Sequence, residues 1–121
     1  MGLEGVRVLI IEDDSLVAMS VGDMLSDLGC SIVATAGSLA QAFEKVGDGG
    51  FDLALLDVNL RGKEVFPVAE ILSERGIPFA FASGYGRAGL PEEFQTRPVV
   101  SKPFQMEELS AVLSAALDTL A

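Results

Sequence analysis

Short apolar runs alternate with amphipathic helical stripes along the whole chain, and this alternation restricts the possible folds more than any other feature. Val6 to Ile11 is apolar apart from Arg7 and reads as a first strand. Ser15 to Leu28 follows as a helix with Val17, Val21, Met24, Leu25 and Leu28 on one stripe, and Gly29 stands where a helix stop belongs. Ser31 to Ala36 is a second strand, and Ser38 is placed to cap a helix whose stripe is Leu39, Ala42, Phe43 and Val46. A glycine-rich turn leads to a third strand, Leu53 to Leu56. Val65 to Arg75 is a third helix that accommodates Pro67 in its first turn. Pro78 to Ala82 is a fourth strand, Val99 to Ser101 a fifth, and Gln105 to Leu120 a final helix with Met106, Leu109, Val112, Leu113, Ala116, Leu117 and Leu120 on its apolar face. Between the last two strands, Gly84 to Pro98 contains three glycines and two prolines, so a fourth helix is predicted to be short, near Pro91 to Gln95, and the segment mobile.

Five βα units with short connections predict an α/β fold: a doubly wound five-stranded parallel sheet in the flavodoxin-like order 2-1-3-4-5. The 121 residues suit one domain, 1–121, with no linker composition inside it. Half of the residues are hydrophobic, as a sheet covered on both faces requires. No apolar run approaches the roughly 20 residues of a membrane span, the first residues lack a basic signal region, and Cys30 is the only cysteine. A cytoplasmic location without membrane contact is therefore expected.

The formal charge of −10 comes with scattered lysines and arginines, which argues against direct nucleic-acid binding. The chain has no histidine, which removes Ser-His-Asp and Cys-His nucleophile pairs and all histidine metal sites. Any metal must be held by oxygen, as Mg²⁺, Ca²⁺ or Mn²⁺ is.

In the expected strand order, ligands bind beyond the strands' carboxyl ends, where the first and third strands adjoin. Glu12-Asp13-Asp14 ends the first strand, Asp57 the third, Ser83 the fourth and Lys102 the fifth. Taken singly these residues are ordinary: Asp14 is best read as a helix N-cap, and an Asp, Ser or Lys after a strand is usually a turn, cap or solvated residue. Together they form a set. Three neighbouring carboxylates repel one another unless a cation relieves them, and Mg²⁺ accepts a few carboxylates while leaving positions for phosphate oxygens. Phosphoryl transfer needs a nucleophile, charge neutralisation and alignment, and this set offers all three.

The motifs are Val8-Leu9-Ile10-Ile11-Glu12-Asp13-Asp14, Phe51-Asp52-Leu53-Ala54-Leu55-Leu56-Asp57, Ala82-Ser83-Gly84-Tyr85 and Ser101-Lys102-Pro103-Phe104. In this order and spacing the chain resembles a response-regulator receiver domain over essentially its full length. The resemblance implies that Asp57 is the phosphoacceptor and that Mg²⁺ is held by Asp13, Glu12, Asp57 and the backbone carbonyl of Asn59. It implies that Ser83 takes the Ser/Thr switch position, that Lys102 pairs with Asp57 and then with the phosphoryl group, and that the Lys102–Pro103 bond is cis. The donor would be a sensor histidine kinase or a phosphotransfer protein, and the chain would not be an enzyme in its own right. Pro78-Phe79-Ala80-Phe81-Ala82-Ser83-Gly84-Tyr85-Gly86 is similar to the FATGUY subfamily, with Ser83 in place of its usual Thr; its members are typically free-standing alphaproteobacterial receivers, often beside HWE-type kinases.

One position departs from the family. Many receivers carry an aromatic residue in the fifth strand, three residues before the lysine, and Val99 stands there instead. Tyr85 and the 84–98 segment are candidates to replace that relay, the alternative being that Tyr85 only covers the rim. Phe66, Phe79, Phe81, Phe104 and Cys30 are expected to pack. Three competing readings are a phosphorylation-independent pseudo-receiver, a flavodoxin-like electron carrier and an aspartyl-phosphate hydrolase. The complete polar set opposes the first, the acids after the first strand would repel a flavin phosphate, and a second catalytic Asp with a cap domain is missing for the third.

Overall fold

In the computed structural model, which describes residues 2–119, three strands are buried along almost their entire length. They are β1 (Arg7–Ile11), β3 (Leu53–Asp57) and β6 (Phe79–Ser83). Their near-continuous apolar composition follows from helices covering both faces. β2 (Ser31–Ala36) and β7 (Val99–Ser101) form the edges, and the order β2-β1-β3-β6-β7 is entirely parallel. With two short strands after β3 set aside, this is the expected flavodoxin-like 2-1-3-4-5 order.

Because strand side chains alternate between faces, each central strand feeds two cores. Leu9, Ile11, Ala54, Leu56, Phe79 and Phe81 face α2 (Leu39–Asp48) and α3 (Phe66–Glu74). Val8, Ile10, Leu53, Leu55, Ala80 and Ala82 face α1 (Ser15–Asp27) and α4 (Met106–Thr119). The expected stripes supply the helix contacts, with Val21 and Leu25 from α1, Ala42 and Val46 from α2, and Leu109, Leu113 and Ala116 from α4. Phe43 departs from its stripe and remains 40% exposed. Leu120, expected on the last apolar face, lies outside the described residues.

The helix ends follow local chemistry. Asp14 Oδ1 accepts from the N–H groups of Leu16 (2.9 Å) and Val17 (3.2 Å) and so caps α1. Gly29, at φ 91°, ends that helix, and a Cβ there would lie 2.9 Å from Glu4 Cγ. Ser38 caps α2 by accepting from Gln41 N–H.

Two features lie outside the five βα units. Between β3 and α3, β4 (Asn59–Leu60) and β5 (Lys63–Glu64) form an antiparallel hairpin that the periodicity did not indicate. Between β6 and β7 there is no α-helix among the described residues. Two 3₁₀ turns, Gly86–Gly89 and Glu92–Phe94, take its place, in line with the expected weak fourth helix. Leu90 and Phe94 anchor this segment in the core, where Phe94 stacks on Phe66 (5.8 Å between centroids) and meets Phe81 edge-on (5.4 Å). The Arg87 guanidinium donates to the carbonyls of Gln95 and Arg97, and the Gln95 amide donates back to the carbonyls of Arg87 and Leu90. No described helix is long and apolar enough to cross a membrane.

Candidate functional site

The register of the sheet determines which residues meet at its carboxyl rim. β1 and β3 run side by side to Ile11 opposite Leu56, so Glu12 and Asp57 come next at the same height. Asp57 lies opposite Ala82, which places Ser83 one step beyond, and Ser83 lies opposite Ser101, which places Lys102 one step further. Glu12, Asp57 and Ser83 are the only buried polar or charged residues other than cysteine among the described residues, and all three belong to this rim. Burying polar groups without local compensation is costly, so their concentration at one place points to a site.

Glu12, Asp13 and Asp57 each offer a carboxylate oxygen within 4.8 Å of the others. Lys102 Nζ lies 3.0 Å from Glu12 Oε1 and 3.3 Å from Asp57 Oδ2. Burial pushes the Glu12 carboxyl up to about 7, assisted by the Asp57 charge and opposed by the Asp14 N–H and Lys102. Desolvation would lower the Lys102 ammonium, but Glu12 and Asp57 outweigh it and raise the group above its usual value. Asp13 moves the other way. Its partial burial favours the neutral form, yet the Arg61 N–H, Glu12 and Lys102 together hold it below the ordinary carboxylate range.

The set of donors fits a hard divalent cation. It consists of carboxylate oxygens, without nitrogen or sulfur, gathered from three acids within 4.8 Å of one another. A cleft of about 450 Å³ opens beside it, lined by Glu12, Asp13, Ser15, Met19 and Arg61 among others, so solvent and small ions reach Glu12 and Asp13.

Each residue expected at the site is found at this rim. Ser83 Oγ accepts from the Tyr85 N–H at 3.1 Å. Asn59 heads the hairpin, its N–H at 3.4 Å from Asp57 Oδ1 and its Oδ1 accepting from Gly62 N–H at 2.8 Å. The Lys102–Pro103 peptide is cis. Asp14 is turned to its capping task and stays out of the cluster. Tyr85 is 84% exposed, while Val99 packs against the core beside Phe81. Arg61 was not anticipated. Its backbone N–H donates to Asp13 Oδ2 at 2.9 Å, and the only hint in the sequence is the Arg61-Gly62 pair, a poor signal without longer flanking strands.

Comparison with known proteins agrees with this geometry. Residues 8–114 match the family model described as the response regulator receiver domain. The transcriptional regulatory protein PdtaR of Mycobacterium tuberculosis is 30% identical over 115 residues, covering 92% of this chain and 56% of its own length. The chain thus spans about half the length of the curated relatives it matches, including the phyllosphere-induced regulator PhyR of Methylorubrum extorquens (43% covered). The solution structure of SdrG from Sphingomonas melonis Fr1 superposes with a TM-score of 0.82 at 44% identity, covering 97% of this chain and 98% of that one. The PhyR receiver domain of Erythrobacter litoralis gives 0.77 at 34% identity, covering 95% and 92%. With the sheet order, the acidic rim and the match over residues 8–114 in agreement, the chain belongs to the response regulator receiver domain family.

Proposed function

We propose that this chain is a phosphorylation-controlled switch in a two-component phosphorelay, with Asp57 as the acceptor of a phosphoryl group from a histidine kinase or phosphotransfer protein. The observation that carries this reading is the position of Asp57, nine-tenths buried, with Lys102 Nζ at 3.3 Å and the Glu12 and Asp13 oxygens within 4.8 Å. Glu12, Asp13, Asp57 and the Asn59 backbone carbonyl would hold Mg²⁺, which supplies positive charge against the phosphoryl oxygens. An Asp57 carboxylate oxygen bonds to phosphorus as the phosphorus–nitrogen bond of the donor phosphohistidine breaks, and the imidazole keeps that electron pair. The donor is external, because this chain has no histidine. Lys102 offsets charge on the transferring group, and water later cleaves the acyl phosphate, restoring Asp57.

The Ser83 hydroxyl is the group that would report the change. It accepts from the Tyr85 N–H, so turning toward a phosphoryl oxygen would alter the backbone link to the 84–98 segment. Tyr85 and that segment would serve as relay in place of a strand-borne aromatic at Val99. The segment Pro78 to Gly86 supports membership of the FATGUY subfamily, with an HWE-type kinase as donor and a cytoplasmic place of work. Output would come through protein contact or through drawing phosphoryl groups away from a kinase.

The test is incubation with a small acyl-phosphate donor and Mg²⁺, followed by intact mass. A gain of one phosphoryl group in the wild type and none in Asp57→Asn is the expected result. An equal gain in both proteins would overturn the assignment.

A further inference from the structure

We propose that the tip of the β4–β5 hairpin is a rigid support for Asp13, and that the Arg61 backbone N–H tunes the affinity of that carboxylate for a divalent cation. The inference rests on the reading above that Asp13 ligates Mg²⁺.

Asp13 sits in the β1–α1 loop, half-buried and past the last paired residue of the sheet. Its rim neighbours, Glu12 and Asp57, are both steadied by Lys102. Asp13 is held from elsewhere in the fold, by the Arg61 N–H at 2.9 Å, across 48 positions of sequence. That bond takes Oδ2 and leaves Oδ1 free of it.

The donor stands on a braced element. Arg61 (φ 52°) and Gly62 (φ 83°) form a two-residue turn with both residues left-handed, the arrangement that suits a tight hairpin. Arg61 is the only non-glycine described residue with a positive φ. Asn59 Oδ1 fastens the turn through Gly62 N–H, Leu60 is buried as a peg beneath it, and Val65 N–H bonds Val58 O at the hairpin's base. The turn demands this conformation, and with the hairpin held at its tip, core and base the Arg61 N–H is presented to Asp13 Oδ2 at a fixed place. Outer partners of this kind orient a ligating group, and their loss typically weakens metal affinity about 10- to 100-fold.

The test is calorimetric titration of the full chain with MgCl₂. Proline lacks the N–H and cannot adopt φ 52°, so Arg61→Pro removes the bond. Arg61→Asn keeps the N–H and tolerates the left-handed conformation. We expect Arg61→Pro to weaken Mg²⁺ binding about 10-fold or more, and Arg61→Asn to stay within roughly threefold of wild type. In an Asp13→Asn background the proline change should add less than about twofold, since the group it supports has been neutralised. Wild-type affinity in Arg61→Pro, or an undiminished loss in the Asp13→Asn background, overturns the inference alone. Wild-type affinity in Asp13→Asn itself overturns the reading of Asp13 as a ligand and the inference with it. If circular dichroism shows Arg61→Pro unfolded, Gly62→Val, which strains the turn at φ 83°, carries the same expectation and the same refutation.

Discussion

Lys102 and Glu12, 90 positions apart in the chain, form a 3.0 Å ion pair at the rim of the sheet, closer than the 3.3 Å between the same ammonium and Asp57. Lys102 is thus shared between two buried acids, in contrast to the single Asp57 pairing that the family resemblance implies. Removing one member of a buried ion pair leaves the other charge uncompensated, which generally costs about 3–5 kcal/mol. Lys102 keeps partial access to water, so Lys102→Met is expected to lower stability by about 2 kcal/mol, below that range. Added Mg²⁺ should recover much of the loss by taking over the neutralising task. Urea unfolding at pH 7.5 with and without Mg²⁺ checks both parts.

The Glu12 carboxyl gives a pH dependence of definite sign. Its value rises from 4.5 to about 7 on folding, so between those limits the folded protein retains a proton that the unfolded chain has released. Stability from this group is complete below pH 4.5 and is lost as the pH rises through 7. The full span corresponds to about 3 kcal/mol. In Glu12→Gln the group no longer titrates. The stability of wild type minus that of Glu12→Gln should therefore fall by about 2–3 kcal/mol from pH 5 to pH 8 without metal. A difference that stays level across that range would show that Glu12 ionises normally.

These charges also show what could be read from the chain and what could not. The strands β1, β3 and β6 were legible because burial on both faces leaves a run of apolar residues, and their ends then located Glu12, Asp57 and Ser83. Lys102 was legible as a member of the site, but its closest partner depends on the register of four strands and the reach of a long side chain. Phe43 misled because one helical position beyond the buried stripe faces water whatever its hydrophobicity. The β4–β5 hairpin left no periodic trace, since two-residue strands are shorter than any repeat. The Arg61–Asp13 bond was invisible for a further reason: a backbone N–H carries no side-chain signature.

Phe94 is the anchor of the segment that replaces a fourth helix. Its ring is 3% exposed and contacts Phe66, Phe79 and Phe81. Phe94→Ala is expected to cost about 3–4 kcal/mol in urea unfolding, as large cavities in aromatic clusters do. Phe94→Leu should restore more than half of that loss. A cost below about 1 kcal/mol would mean that the segment collapses into the space and is not anchored by this ring.

Arg87 and Gln95 hold the same segment by a different means. Their side chains bond to each other's carbonyls and to those of Arg97 and Leu90, so the loop supplies the backbone partners that a helix would have supplied. Arg87→Ala is expected to cost only about 1 kcal/mol globally, because the bonds are near water. Locally the effect should be larger, with amide exchange across 84–98 accelerated while β1 and β3 keep their protection. Uniform exchange changes across the sheet would contradict this separation.

A second link between segment and site lies at Gly89, where an added Cβ would stand 2.9 Å from Ser83 Oγ and 3.6 Å from Tyr85 Cβ. No real Cβ tolerates the first distance, so Gly89→Ala must displace either the loop or the Ser83 hydroxyl. Ser83 sits in a strand with 2% exposure and has little room, whereas its hydroxyl can rotate away from the Tyr85 N–H that now donates to it at 3.1 Å. Gly89→Ala is therefore expected to shift the Tyr85 amide resonance markedly and to cost about 1–2 kcal/mol, typical of overpacking. Introducing the same alanine into Ser83→Gly, which lacks the obstructing oxygen, should cost less than about 0.5 kcal/mol. If the two backgrounds suffer equally, the strain arises in the loop itself and Ser83 is not the residue that senses it.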